Sequence, residues 1–367
     1  MLVHDLAALL PDLARRHLAA PDAYPSESVA ALKELRAFAA PFAPSLGGRA
    51  STLLEMVDAV TTIASASPSL ALLSCMPMGL AGVLAGGVGV APEAHRVAAQ
   101  AQLERVAEDY RRGAIYAACN SEKGAGGSLA ATKAVAKRTP AGFTLHGEKI
   151  LASFGTHADV FFSTAKVDPA ELAGAGVVEF FFVDAKAAGV HVLDDWNGFG
   201  MRGTESHTVR YEGALAREVV GYPAFIDVAR PLQYWFCLFS AIPLGCAAAA
   251  LRALGTPSSP ALRVRVADAV MRYESLRAYL RETASAWRAG ADAAYAQRVL
   301  RTKTFVSQES TRLCADLFAR SGGRHYVRGG VLSGALADAF AGTALRPPLP
   351  LALDALAEAL SLDTLDV

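Results

Sequence analysis

The sequence predicts an α+β fold in which two helical segments flank a strand-rich central third. Apolar residues recur at helical spacing in the first and last thirds, whereas the middle third alternates apolar and polar residues between short turns. With 367 residues, the chain is long enough for two or three domains of about 150 residues each. We therefore expect a helical domain over residues 1–113, a strand-rich domain over 114–222 and a second helical domain over 223–367.

The first segment is predicted to form a series of amphipathic helices. Leucines at positions 2, 6, 9, 10 and 13 share one helical face. Asp5 and Asp12 favour an ordinary first helix over a transit peptide, because transit peptides are poor in acidic residues. Further helices are expected over three stretches: 26–35, 53–66 and 93–112.

Two stretches without any charged residue, 59–92 and 231–251, are long enough to cross a bilayer, which takes about 20 residues. Small residues dominate both of them. Pro68 and Pro77 are expected to break the first stretch, and Pro243 is expected to break the second. Helices of this kind are more typical of the buried centre of a helical bundle than of a membrane span. We therefore expect no membrane span.

The middle segment is predicted to contain about seven short strands. Turns are expected at 140–142 and at 146–148, where glycine follows proline-alanine and histidine. Because the connections are short, an antiparallel meander or a small barrel is favoured over parallel βαβ units. The strands are expected over these stretches: 131–137, 143–145, 149–153, 160–167, 178–183, 190–193 and 208–211.

The last segment returns to helical spacing. Long helices are expected over 232–254, 261–288 and 291–320, and a shorter one over 334–345. Gly322 and Gly323 separate the third helix from the fourth, and three prolines at 347, 348 and 350 end the fourth before a short C-terminal helix.

The composition argues against several classes of function. The 35 basic and 35 acidic side chains balance, and no long run of one charge occurs, so nucleic acid and anionic membranes are not expected partners. The five cysteines are scattered without a CxxC pair, and the eight histidines show no metal-ligand spacing. We therefore expect a reduced, cytoplasmic protein without a disulfide framework or a metal site.

Three motifs in the middle segment are the most specific features of the sequence. Residues 120–128 are NSEKGAGGS, residues 147–153 are GEKILAS, and residues 198–206 are GFGMRGTES. The first has neither the GK[ST] of a P-loop nor the GxGxxG register, and alone it is more typical of a tight turn than of a phosphate-binding loop. In this order, in a strand-rich segment flanked by helices, the three motifs resemble those of the acyl-CoA dehydrogenase family over essentially the whole chain.

The resemblance implies an architecture, a cofactor and an assembly. It implies a helical N-terminal domain, a central β-barrel domain and a C-terminal four-helix bundle, assembled as a homodimer or homotetramer. FAD would lie between the barrel, the bundle and a neighbouring subunit. Glycines there free backbone N–H groups for the cofactor, and small hydroxyls can hydrogen-bond the flavin ring. The flavin-binding positions of the family fall on Ser121, Gly126, Gly127, Ser128, Leu151, Ser153, Gly322 and Gly323.

The sequence departs from the family pattern at the catalytic base. Such an enzyme needs a carboxylate that takes a weakly acidic α-proton. The two positions at which the family carries this Glu fall on Arg346, near the C-terminus, and on Trp235, in the first bundle helix. Because a guanidinium cannot act as a base, the catalytic residue is left unknown. The expected substrate-binding residues are Arg202, Thr204, Trp235 and Arg346.

Arg346 and Trp235 each also have a structural interpretation. Arg346 either anchors a substrate carboxylate or phosphate or is a solvated arginine at a helix end. Trp235 either walls an aromatic pocket with Phe236 and Phe239 or belongs to the core, which its helical spacing favours. The family loop that reaches the adenine of FAD is replaced by the short segment 255–260, so tight FAD binding is less strongly implied than the fold.

Three functions are compatible with these residues. The first is α,β-oxidation of an acyl thioester by bound FAD with an unidentified base, and we expect this one. The second is an FADH2-dependent monooxygenase that receives reduced flavin from a partner reductase and does not need the missing Glu. The third is a non-catalytic member that serves in assembly or ligand binding. The first would pass its electrons to an electron-transfer partner.

Overall fold

Five α-helices precede the first strand in the computed structural model, which describes residues 2–255, 259–327 and 329–360. They are α1 (Leu2–Ala19), α2 (Ser26–Glu34), α3 (Leu53–Ala64), α4 (Pro68–Gly89) and α5 (Glu93–Arg111). A capping box begins α3: the Thr52 hydroxyl accepts a hydrogen bond from the backbone N–H of Glu55, and the Glu55 carboxylate accepts one from that of Thr52. This exchange satisfies two backbone donors that a helix start would otherwise leave free.

The two stretches without charge lie largely in α4 and α7 (Leu232–Leu254). The break expected at Pro68 is confirmed, because α3 ends at Ala64 and α4 begins at Pro68, whereas the breaks expected at Pro77 and Pro243 are wrong. Pro68 lies in the first turn of α4, where proline needs no hydrogen-bond partner, while Pro77 and Pro243 lie inside continuous helices. Burial of the surrounding apolar side chains offsets the backbone hydrogen bond that each internal proline removes. By length and hydropathy both helices qualify as candidate membrane spans, although most of each is buried within the described protein.

Glycine lets α4 and α7 approach closely. A Cβ atom at Gly79 would lie 1.9 Å from Nε1 of Trp235, and one at Gly82 would lie 2.2 Å from Cζ of Tyr234. No Cβ occupies space at such distances, so any larger residue at either position would displace a buried ring of α7. The glycine content of α4 therefore fixes where the two large side chains of α7 lie.

The middle third folds into one seven-stranded mixed sheet. Its strands are β1 (Tyr116–Cys119), β2 (Val135–Thr139), β3 (Gly142–Ala152), β4 (Val160–Lys166), β5 (Val178–Asp184), β6 (Val190–Val192) and β7 (His207–Val219). The hydrogen-bonded pairs run from β4 through β2, β3, β7 and β5 back to β4, with β1 added beside β4 and β6 beside β7. The strand pairs are mostly antiparallel, but β4 pairs in parallel with both β1 and β2, which the expected meander did not include.

The turn expected at 146–148 is also wrong, because β3 runs straight through it. The strand pairs with β7 on both sides of Gly147, with a register shift between Leu145 and His146. Gly147 has φ +137°, and a Cβ there would lie 2.8 Å from Cα of Ala134. The glycine thus serves a close approach of two backbone segments, not a reversal of the chain.

Seven helices follow the sheet in the described residues. They are α6 (Phe225–Ala229), α7, α8 (Pro260–Ser285), α9 (Ala293–Ala319), α10 (Val331–Ala339), α11 (Ala341–Ala344) and α12 (Leu349–Glu358). The helix expected over 334–345 is divided at Phe340 into α10 and α11. Asp292 caps α9 by accepting a hydrogen bond from the backbone N–H of Tyr295. The central sheet with helical regions on either side confirms the predicted α+β class.

One buried carboxylate of the sheet, that of Glu179, forms no ion pair with any described residue. Oε1 of Glu179, on β5, accepts hydrogen bonds from the backbone N–H groups of Gly176 at 2.7 Å and Ala224 at 2.6 Å. Its Oε2 has no hydrogen-bond partner among the described residues. Burial raises the pKa of Glu179 to about 7, from an ordinary value of 4.5.

This raised pKa predicts how stability depends on pH. Between pH 4.5 and about 7 the folded protein binds more protons at Glu179 than the unfolded chain does, so stability falls as pH rises through this window. Glu179→Gln keeps the acceptor and removes the titration. From pH 5 to pH 8, we expect the unfolding free energy of the variant to rise by about 1–3 kcal/mol relative to that of the parent. Urea titration at both pH values measures this gain. The exposed control Glu93→Gln should show no such gain. Its absence in Glu179→Gln would contradict the raised pKa of Glu179.

Candidate functional site

A cavity of about 540 Å³ lies between the sheet and the helices α4, α7, α10 and α11. Its wall is mostly apolar and rich in aromatic rings. The side chains that form this wall include Leu72 and Met76 of α4, Phe162 of β4, Phe180 of β5, Trp235, Phe236 and Phe239 of α7, Trp196, Phe199 and Met201 of the loop before β7, and Phe340 between α10 and α11.

Trp235 is fixed in this wall. Its ring stacks on Phe162 with 5.5 Å between centroids, and its Nε1–H donates a hydrogen bond to the backbone oxygen of Cys75 at 3.1 Å. The indole is 5% exposed and lines the cavity at the same time. The expected alternatives of core and pocket wall are therefore both true of this residue. An indole at this position offers a flat apolar surface and no proton acceptor.

A chain of hydroxyl groups begins at the cavity surface. Oγ of Ser153 lies 2.9 Å from Oγ of Ser206, which lies 2.7 Å from Oγ1 of Thr204, which in turn donates to the backbone oxygen of Met201 at 2.7 Å. A carbonyl oxygen can only accept, and each hydroxyl has one hydrogen. All three hydrogen bonds form together only if every hydrogen is directed toward Met201. Ser153 therefore presents lone pairs, not a hydrogen, to the cavity.

The loop that carries these hydroxyls is held by α10. The buried carboxylate of Asp338 accepts a hydrogen bond from the backbone N–H of Met201 at 2.6 Å. Burial raises the pKa of Asp338 to about 6, while the hydrogen bond from Met201 lowers it. On the same loop, Nε1–H of Trp196 donates to the backbone oxygen of Arg202 at 3.0 Å. The loop is thus held by Asp338 of α10 and by Trp196 of the loop itself.

Beneath the cavity, the first two sequence motifs meet in a buried ion pair. Nζ of Lys149 lies 2.5 Å from Oε1 of Glu122, and both side chains are at most 3% exposed. The same carboxylate accepts hydrogen bonds from the backbone N–H groups of Lys133 at 2.5 Å and Ala134 at 3.1 Å. Burial opposes ionisation of Glu122, but these hydrogen bonds outweigh it and lower its pKa. The pair joins the loop of residues 120–128 to β3.

Arg346 brings a guanidinium to the cavity wall. Its Nη2 donates a hydrogen bond to the backbone oxygen of Asn120 at 3.1 Å, and its buried Nη1 has no hydrogen-bond partner among the described residues. Burial lowers the pKa of Arg346 to about 10, while the nearby charge of Glu122 raises it. The side chain is therefore charged at neutral pH.

The segment that carries Arg346 is held by one buried lysine of α9. Nζ of Lys303 donates to the backbone oxygens of Gly342 at 2.9 Å, Leu345 at 2.7 Å and Pro347 at 2.6 Å. Three acceptors match the three hydrogens of the ammonium group. Burial lowers the pKa of Lys303 to about 7. The lysine ties the segment on both sides of Arg346 to the helical bundle.

Comparison with known proteins identifies the fold that carries this cavity. Residues 117–214 match the family model of the acyl-CoA dehydrogenase middle domain. Among solved structures, KijD3 in complex with FMN and a dTDP-linked amino-keto sugar has a TM-score of 0.82 and 21% identity, over 99% of this chain and 94% of its own. Butyryl-CoA dehydrogenase from Megasphaera elsdenii has a TM-score of 0.81 and 18% identity, over 98% and 97%. The chain has the acyl-CoA dehydrogenase fold.

Structures of this fold on which the chain superposes also include a protein bound to FMN. TdsC from Paenibacillus sp. A11-2 has a TM-score of 0.79 and 19% identity, over 97% of this chain and 95% of its own. No sequence among the curated proteins matches the chain. The similarity therefore extends over the full fold, but the sequence identities are too low to indicate a specific activity.

In this acyl-CoA dehydrogenase fold, three of the expected flavin-binding residues line the cavity: Ser121, Leu151 and Ser153. Leu151 is half exposed, with φ +59°, directly after the backbone bridge between Ser121 and Ile150. The other five expected flavin-binding residues do not line the cavity. Gly126, Gly127 and Ser128 lie in the loop after β1, and Gly322 and Gly323 follow α9.

The donor set fits a flavin ring at this cavity. Ser121 and Ser153 offer hydroxyls beside the apolar wall, and Leu151 offers an apolar surface at the position where the family stacks an aromatic ring. The expected phosphate contacts fit less well, because a Cβ at Gly127 would lie 2.5 Å from Cδ of Pro348, which covers it. Residues 256–258, in the segment that replaces the adenine loop, lie outside the described residues.

Arg202 and Thr204 lie apart from the cavity surface. Nε of Arg202 pairs with Oδ1 of Asp22 at 3.0 Å. The Arg202 residue lines a second cavity of about 870 Å³, beside α1 and α10. Thr204 is buried as the last hydroxyl of the chain from Ser153. Of the four expected substrate-binding residues, the fold therefore brings only Trp235 and Arg346 to the cavity that contains the flavin positions.

Sequence reasoning missed the role of Ser206 and the pairing of Glu122 with Lys149. All three residues are part of the quoted motifs, but their partners come from other segments. The described residues contain no group of three His, Cys, Asp or Glu side chains placed to hold a metal ion, and the expected lack of a metal stays a prediction. All five cysteines are buried and free.

Proposed function

We propose that the protein is a flavin-dependent oxygenase that takes up reduced flavin and oxidises a small, largely apolar substrate. The observation that carries this proposal is the absence of any carboxylate or imidazole among the described residues that line the cavity. Dehydrogenation of an acyl thioester requires a base within hydrogen-bond reach of the α-carbon. Arg346 and Trp235, at the two family positions for that base, cannot accept a proton.

Oxygenation makes a different demand on the chain. Reduced flavin, when bound, supplies two electrons to O2, so that one oxygen atom enters the substrate and the other leaves as water. This chemistry does not begin with removal of a substrate proton. It is favoured by an apolar environment around the reacting atoms, and the ring-lined wall around Trp235 and Phe162 provides one.

The hydroxyl chain supports the reduced state of the cofactor. Ser153 presents lone pairs to the cavity, because its hydrogen is used by Ser206. N5 of a reduced flavin carries a hydrogen, whereas N5 of an oxidised flavin is a bare acceptor. An acceptor at Ser153 therefore complements the reduced ring, and Ser121 lies at the other expected ring contact.

The relatives by fold are compatible with this proposal. KijD3 and TdsC are described as bound to FMN, and HsaA from M. tuberculosis is described as a monooxygenase. FAD, which the resemblance implies, and FMN are both candidates for this chain. A flavin reductase is the partner that the proposal requires. Acyl thioester oxidation, the function expected from the motifs, is less well supported because the cavity lacks a base.

The test uses the purified protein with each flavin in each redox state. We expect photoreduced FMN or FAD to bind at least about tenfold more tightly than the oxidised form, the difference of one well-placed hydrogen bond. On admission of ¹⁸O2 with indole as an apolar probe, one labelled oxygen should enter the product. Anaerobic bleaching of oxidised flavin by butyryl-CoA would instead show a dehydrogenase, and binding of neither flavin would favour the non-catalytic alternative.

A further inference from the structure

The charges around the cavity do not balance. Lys149 and Glu122 neutralise each other as a buried pair, and Arg346 adds one further positive charge. The charge of Glu122 raises the pKa of Arg346, but this carboxylate already accepts hydrogen bonds from Lys149 and two backbone N–H groups. Among the described residues, the cavity wall contains no acid that could balance the remaining charge.

The hydrogen bonds of Arg346 are incomplete as well. Nη2 donates to the backbone oxygen of Asn120, while the buried Nη1 has no acceptor in the described part of the chain. A buried, unpaired nitrogen on a cation is costly, and the cost falls when an anion accepts from it. The position is also held from outside the cavity, since Lys303 fixes the backbone on both sides of Arg346. The guanidinium is thus preorganised beside an apolar space.

We propose that Arg346 binds a carboxylate on the substrate, whose aromatic or branched apolar body fills the space against Trp235 and Phe162. One guanidinium lines the cavity among the described residues, which matches a single carboxylate. The cavity volume of about 540 Å³ lies in the range of small-molecule sites. This inference deepens the proposed function, on which it rests, because it names the substrate class: small apolar carboxylates.

The test compares two probes of equal shape and different charge, 2-naphthoate and 2-naphthamide, by calorimetric titration of the full chain. We expect the carboxylate to bind about 10- to 100-fold more tightly than the carboxamide, as a charge-assisted hydrogen bond would give. Arg346→Gln should remove this preference and leave the carboxamide affinity unchanged, which shows an intact cavity. Arg312→Gln, an exposed arginine of α9, is the matched control and should keep the preference.

Three results would overturn the proposal. The first is equal affinity of the parent protein for both probes. The second is displacement of 2-naphthoate by saturating FMN, which would assign the guanidinium to the cofactor. If Arg346→Gln binds neither probe, Arg346→Lys decides. This variant conserves the charge and should retain part of the carboxylate preference; complete loss of that preference is the third result. Because binding needs no turnover, a preference that persists without oxygenation would contradict only the proposed function.

Discussion

Lys149→Met is expected to lower the free energy of unfolding by about 3–5 kcal/mol. The methionine fits the volume of the lysine stem but leaves Glu122, whose side chain is 3% exposed, without its cation. Two backbone hydrogen bonds, from Lys133 and Ala134, do not replace a full charge. The variant must therefore either bury an unpaired carboxylate or protonate it.

Chemical denaturation of three variants tests this expectation. The double variant Glu122→Gln/Lys149→Met removes both charges and should lose less stability than Lys149→Met alone, because no isolated charge remains. Lys123→Met, one residue from Glu122 but exposed, is the matched control and should change stability by no more than about 0.5 kcal/mol. A loss below about 1 kcal/mol in Lys149→Met would contradict a tightly coupled pair.

The pairing of these two residues shows what the sequence could and could not predict. Both belong to the motifs that indicated the fold, so their importance was visible. Their contact depends on the path of β3, and the local pattern around Gly147 predicted a turn there. The glycine is required by the approach of Ala134, which directly precedes β2. Turn propensity could not distinguish that tertiary requirement from a local reversal.

The cavity shows the same division. Counting along the motifs predicted that Arg346 and Trp235 occupy the positions of the base, and both line one cavity. Helical spacing alone favoured a core role for Trp235, since a stripe of apolar residues has the same period in both cases. The hydroxyl chain through Ser206 could not be predicted, because Ser153 lies 53 positions away in the sequence.

The second large effect is expected at Lys303, whose three hydrogens are all donated to the segment that carries Arg346. Lys303→Met leaves three carbonyl oxygens without this donor, two of them in buried hydrogen bonds, at a cost of about 1–3 kcal/mol for each buried oxygen before relaxation. Because the segment can move toward water, we expect a net loss of about 3–5 kcal/mol in the free energy of unfolding. Arg301→Met, exposed on the same helix, is the matched control for denaturation.

Stability alone would not separate a structural tie from a positioning residue. If Lys303 positions Arg346, its replacement should reduce the preference for 2-naphthoate over 2-naphthamide while the carboxamide still binds, because the apolar wall around Trp235 belongs to other elements. A variant that loses stability but keeps the full carboxylate preference would show that Arg346 is held by Asn120 without help from α9. The ratio of the two affinities therefore measures how much of the anion site is built by a lysine that does not line the cavity itself.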